Sequence, residues 1–226
     1  TDYMRGAMRL AAFMGVPSVF VLTHDSVGLG EDGPTHQPVE HIMALRLIPG
    51  LDVWGPADAY ETFYTWEAVL RNNRPAALLL SRQKLPLLGA QKDKIKECVK
   101  RGAYTLKGPA LIPDVELIAT GSEVSLALET ALKLEELGIR AKIVSMPCYE
   151  VFMRQDAAYR SAVISADLPK VCIEAGKGLG WKDMTGCGKT LTISIETFGV
   201  SAPFDKALAH LGFTAEAVTE KIKVFL

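Results

Sequence analysis

The sequence predicts an α/β protein built as two consecutive open, mostly parallel-sheet αβα domains, the first incomplete. Two observations carry this. Short apolar runs bounded by Pro or Gly alternate with segments of helical periodicity, and strand–helix–strand repetition implies parallel pairing. That alternation runs twice, on either side of a long Lys-rich stretch that one compact domain would not hold as a loop. The boundaries read as 1–88, a linker over 89–110, and 111–226.

Helical pattern begins at once. Met4, Met8, Ala11 and Ala12 form one stripe, with Ala7 and Leu10 beside it, until Gly15 and Pro17 stop it. A helix without a lead-in predicts a start inside a domain, so the first unit reads as incomplete. Residues 19–22 form a buried strand. Beyond a loop, Val39, Ile42, Met43, Arg46 and Leu47 fall at helical spacing over 39–47, and Pro38 is tolerated in a first turn because its missing N–H has no intrahelical partner there. A short strand over 51–54 follows. Residues 57–72 then make a helix with Ala59, Phe63, Trp66, Val69 and Leu70 on one face, and 76–80 a third strand. The second series has strands over 115–120, 140–146, 171–174 and 191–195. Its first helix opens at Gly121-Ser122-Glu123 and stops at Gly138, and two further helices cover 204–211 and 215–224.

Composition excludes several classes. Lys and Arg number 25 against 26 Asp and Glu, a formal net charge of −1, so nothing electrostatic favours nucleic acid or an anionic membrane. No apolar run approaches the roughly 18–20 residues that span a bilayer. Cys98, Cys148, Cys172 and Cys187 stand far apart without C-x-x-C spacing, which suits a reducing compartment rather than a disulfide framework. Cys172, inside an apolar run, reads as an inert core thiol. A cytoplasmic location is the expectation.

The richest stretch is the loop 23–38, which joins the end of a strand to the start of a helix, where open α/β sheets bind ligands. Three of the four histidines, His24, His36 and His41, lie in it or one turn beyond, and Gly28, Gly30 and Gly33 allow close backbone approach. Metal ligation is disfavoured, because tight His/Cys spacing is missing. A structural loop, with Asp32 or Thr35 capping the next helix or holding a turn, is one reading. The other is a binding site. Imidazoles and a carboxylate suit hydroxyls and proton transfer, and Arg82, leaving the third strand at the same sheet edge as His24, offers a fork for a phosphate or else a surface ion pair. The binding reading explains more of the stretch: a phosphorylated, hydroxyl-rich small molecule.

The run from His24 to Pro38, His-Asp-Ser-Val-Gly-Leu-Gly-Glu-Asp-Gly-Pro-Thr-His-Gln-Pro, closely resembles the signature of the transketolases. Ser81-Arg82-Gln83, Ala119-Thr120-Gly121-Ser122-Glu123-Val124, Val144-Ser145-Met146-Pro147 and Phe198-Gly199-Val200-Ser201-Ala202-Pro203 extend the resemblance along nearly the whole chain. It implies the carboxyl part of a thiamine-diphosphate pyrimidine-binding domain followed by a transketolase C-terminal domain. It also implies transfer of a two-carbon ketol unit from a ketose phosphate to an aldose phosphate, in the pentose phosphate pathway, with the cofactor as electron sink. His24 and Arg82 would hold the sugar phosphate, Asp32 would read the hydroxyl beside the reacting carbon, and His36 would bind the donor and move protons. Tyr3 would lie by the cofactor's aminopyrimidine, or else pack in the core. His41 reads as a helix-surface residue, and His210 lies outside every motif. The Ala119–Glu123 turn reads as a capped helix start, with anion binding as the alternative.

The resemblance further implies a homodimer with each active site shared between subunits, and a divalent metal, Mg2+ or Ca2+. The family's Gly-Asp-Gly metal motif and its activating glutamate are absent from these residues, so the chain alone is expected to be inactive. Gly55 stands where relatives carry an arginine, and 181–189 fits the pattern poorly. A dihydroxyacetone synthase-type relative, or a non-catalytic binding module, are the alternatives; deoxyxylulose phosphate synthase shares only the Asp-Gly-Pro-Thr-His core.

Overall fold

A computed structural model describes residues 1–89, 92–186 and 188–226; Cys187 lies outside them. Helix α1 (Arg5–Met14) follows a single 3-10 turn and ends at Gly15, whose left-handed φ of 67° closes it. Strands β1 (Val19–Thr23), β2 (Asp52–Trp54) and β3 (Ala76–Leu80) form a parallel sheet in the order β1-β3-β2, with Thr23 beside Leu80 at its carboxyl edge. Between them run α2 (His41–Arg46) and α3 (Ala59–Asn72). In α3 the Asp58 carboxylate accepts from Glu61 N at 2.8 Å, which satisfies a first-turn donor, and Asn73 ends the helix at φ 51°.

The second sheet holds β4 (Tyr104–Lys107), β5 (Val115–Ala119), β6 (Ala141–Ser145), β7 (Lys170–Ile173) and β8 (Thr190–Ile193), in the order β4-β6-β5-β7-β8. Only β4 is antiparallel. Its helices are α5 (Glu123–Glu136), α6 (Tyr149–Met153), α7 (Ala157–Val163), α8 (Trp181–Thr185), α9 (Phe204–His210) and α10 (Ala215–Phe225), while α4 (Lys92–Val99) precedes β4. The parallel α/β architecture expected from the strand–helix alternation is therefore present in both halves.

Four differences have physical causes. The stretch expected as a linker over 89–110 carries α4 and β4, because Ile95, Val99, Ala103 and Tyr104 are apolar and buried among the Lys-rich neighbours. Helix α2 starts at His41 rather than 39, since the Val39 carbonyl accepts from Lys177 N at 2.8 Å instead of continuing a helix. Pro38 therefore precedes it. In α3 the inward face is Glu61, Thr65, Ala68 and Val69, while Phe63 and Leu70 are exposed. Of the stripe expected on α1, only Met8 is fully buried.

The two sheets share a boundary of apolar and polar contacts. Trp54, Val69 and Leu78 of the first pack with Val99, Tyr104 and Val151 of the second. Buried Glu61 accepts from Tyr104 OH at 2.7 Å, Ser145 Oγ at 2.6 Å and Ala57 N at 2.7 Å. Arg154 grips the buried Asp52 with two bonds of 2.8 and 2.6 Å. Glu61 is thus hydrogen-bonded and Asp52 ion-paired, as burial of a carboxyl group demands.

Candidate active site

The loop between β1 and α2 has one regular turn, a 3-10 helix over Val27–Leu29 capped by Ser26 Oγ, which accepts from Gly28 N at 3.2 Å. His24 leaves β1 in the left-handed region at φ 66°, an unusual conformation for a residue with a Cβ. Its Nδ1 bonds Thr23 Oγ1 at 2.9 Å. His36 closes a turn through its N–H to the Gly33 carbonyl at 3.0 Å, and its Nδ1 bonds Thr35 Oγ1 at 3.0 Å. In both rings a neighbouring hydroxyl engages Nδ1, which leaves Nε2 as the nitrogen for a ligand.

Tyr3, His24, His36 and Phe198 share the wall of one cavity of about 660 Å³. His41 completes one side and bonds Asp2 at 3.3 Å. Tyr3 is fully exposed, so it does not pack in the core of these residues. Asp32 and Arg82 are exposed and do not line the cavity. The parallel register of β1 with β3 nevertheless delivers His24 and Arg82 to the same sheet edge. His210 sits exposed in the last turn of α9, away from this wall. A smaller hollow of about 260 Å³, over Lys84, Pro86, Leu126 and Phe204, holds none of the predicted site residues.

The turn before α5 does start a helix, but Ser122 makes no cap bond. Its hydroxyl donates to Glu123 Oε1 at 2.6 Å, and Glu123 Oε2 accepts from Ala175 N at 3.0 Å. Glu123, Asp25 and Glu174 line, with Arg46, a space of only about 10 Å³, too small for a bound anion. Burial, then the nearby Asp25 carboxylate, pushes Glu123 up to about 8. Burial likewise raises Asp25, against the Ser81 hydroxyl that donates to it at 2.9 Å. Neither acid was given a role from the sequence, because each meets the other only across the boundary between the two halves of the chain.

With this geometry in place, the comparisons are decisive. Residues 1–87 match the model of the transketolase pyrimidine binding domain, and residues 102–214 that of the transketolase-like TK C-terminal domain. The chain belongs to the transketolase family. It is 48% identical to the plasmid transketolase of Cupriavidus necator over its full length, which is 33% of that relative. A transketolase structure from Leishmania mexicana superposes with a TM-score of 0.91 at 39% identity, covering 99% of this chain and 32% of that one. A Pichia stipitis transketolase in complex with sedoheptulose-7-phosphate gives a TM-score of 0.87 at 35% identity, over 97% and 32% of the two chains. The chain therefore spans about a third of the length of the transketolases it matches. The α/β expectation and the family resemblance both hold.

Within the transketolase frame, several residues beside the predicted ones shape the loop. Gln37, buried between Thr35-His36 and Pro38, reaches Gly30 O and Val200 O, and Ser201 reaches Glu31 O. Both stand inside the quoted motifs. Their types alone, an amide and a hydroxyl among glycines, carry no sign of a partner about 160 residues away.

Proposed function

We propose that this chain supplies the sugar-facing wall of a transketolase active site, for transfer of a two-carbon ketol unit from a ketose phosphate to an aldose phosphate. The observation that carries the reading is the shared cavity of Tyr3, His24 and His36. The donor set suits a hydroxylated, anionic ligand. His24 and Arg82, at one sheet edge, would hold the phosphate. Asp32 would accept from a sugar hydroxyl, and His36 Nε2 would bind the donor's oxygen and move its proton.

An exposed aromatic at the cavity wall fits the aminopyrimidine of thiamine diphosphate, so Tyr3 would pack against that ring. Bound there, the cofactor supplies an electron sink for carbon–carbon cleavage. Among the described residues no group of three or more His, Cys, Asp or Glu could hold a metal ion. Mg2+ or Ca2+ would be held by other parts of the full-length protein, working as a cytoplasmic homodimer with active sites shared between subunits.

His36→Ala in the full-length protein tests the reading. Loss of a positioned acid–base group is expected to lower kcat by roughly 10²- to 10⁴-fold. Unchanged ketol transfer would sink the assignment. Ribose 5-phosphate outperforming formaldehyde as acceptor would separate a transketolase from a dihydroxyacetone synthase-type relative.

A further inference from the structure

The loop that carries Asp32 and His36 is not held by its own bonds alone. Apart from the one 3-10 turn it has no regular structure, and part of its bracing comes from the segment between β8 and α9 in the other half of the chain. Gln37, 4% exposed, is the central contact. Its Nε2 donates to Gly30 O at 2.7 Å and Val200 O at 2.9 Å, with Val27 O at 3.4 Å. Three carbonyls converge on that atom, so it must be the amide nitrogen, and its two hydrogens serve the two shorter bonds. One side chain therefore ties the loop to itself and to the second domain at once.

A second tie lies beyond it. Ser201 Oγ donates to Glu31 O at 2.7 Å, beside Asp32. Small residues make this closeness possible. A Cβ on Gly199 would overlap Gln37 Oε1, and one on Gly30 would stand 3.3 Å from Ala202 O. Gly30 also takes a φ of 96°. The same segment begins with Phe198, which lines the cavity beside His24.

We infer that residues 198–204 are a positioning element of the active site, with Gln37 and Ser201 as positioning residues that hold Asp32 and His36 in place. The second domain thereby has a working role in the reaction, although it contributes neither of the two side chains. The inference rests on the roles of Asp32 and His36 proposed above. An unclamped loop must be ordered by the substrate itself, so the effect falls on KM more than on kcat.

The test uses the full-length protein with its cofactors, and the variants Ser201→Ala, Ser201→Thr and Gly199→Ala. Amide hydrogen exchange over 27–38 and steady-state kinetics with a ketose phosphate are measured well below the melting temperature. Loss of one hydrogen bond in Ser201→Ala is expected to speed exchange in the loop by roughly 3- to 10-fold and raise KM by a similar factor, with kcat changed less than about twofold. Ser201→Thr, which keeps the hydroxyl, should restore both. Gly199→Ala, which displaces Gln37, should exceed Ser201→Ala in both; if that variant fails to fold, the serine pair still decides. Wild-type exchange in Ser201→Ala, or faster exchange with an unchanged KM, would overturn the inference. Because loop exchange is read without turnover, a failure of the ketol-transfer reading would show separately, as a His36→Ala variant with full activity.

Discussion

His24 and His36 are held by bonds with their nearest neighbours. Each ring is oriented by the hydroxyl of the residue before it, Thr23 or Thr35, so orientation is encoded within a dipeptide. Such sites are legible from residue types in a motif. The cysteines show the opposite dependence. Cys148 and Cys172 are essentially inaccessible, and burial pushes Cys148 well up and Cys172 up to about 12. The thiolate is the reactive form, so neither should react at neutral pH. Iodoacetamide treatment of the native protein is expected to leave both unmodified, with alkylation appearing only after unfolding; peptide mass spectrometry reads the result. Labelling of either in the folded state would contradict the packing described here.

Elements are joined by ion pairs whose members come from different sheets. Arg46 of α2 donates two bonds, of 2.9 and 2.7 Å, to Glu174 just beyond β7, and Trp181 Nε1 of α8 adds a third at 2.8 Å. The guanidinium also lies over the Trp181 ring, 5.4 Å from its centre. Arg46→Met should destabilise the protein by about 3–5 kcal/mol, because it strands a buried carboxylate rather than because the pair is strongly favourable in itself. Denaturant unfolding of the single variant and of Arg46→Met with Glu174→Leu checks this. The double variant should recover much of the loss, and a single variant as stable as wild type would refute it. Helix α3 teaches the same lesson about prediction. Phe63 and Leu70 look like core residues by hydropathy, yet Glu61 and Thr65 face inward, because Tyr104 and Ser145 wait across the boundary to bond Glu61.

At the scale of the molecule, the boundary between the sheets makes stability depend on pH. Glu123 of α5 faces Asp25 of the site loop, with Glu174 and its partner Arg46 closing the space and Ser122 and Ser81 bonding the two acids. Among the described residues that line this space Arg46 is the one cation, and it is already committed to Glu174. With Glu123 raised from 4.5 to about 8, the folded state binds the extra proton between those values. Its stabilising contribution is complete below about 4.5 and is lost as pH rises towards 8. The melting temperature should therefore fall from about pH 5 to about pH 8, and Glu123→Gln, which mimics the protonated acid, should flatten the fall. A wild-type profile already flat over that interval would count against the arrangement.

The sequence by itself determined the α/β class, the family, the sheet edge at which the first loop leaves, and the residue types at the wall of the cavity beside it. These depend on short-range periodicity, on Pro and Gly punctuation, and on one long motif, all of which are local. Only the tertiary structure decided that 92–107 is helix and strand rather than linker, that Glu61 faces inward, that Asp25 and Glu123 share a space, and that Gln37 and Ser201 clamp the loop. Each of those is a polar or packing partnership between residues far apart in the chain. A buried polar group is stable only when its partner is present, and hydropathy read along one strand of sequence does not register the partner.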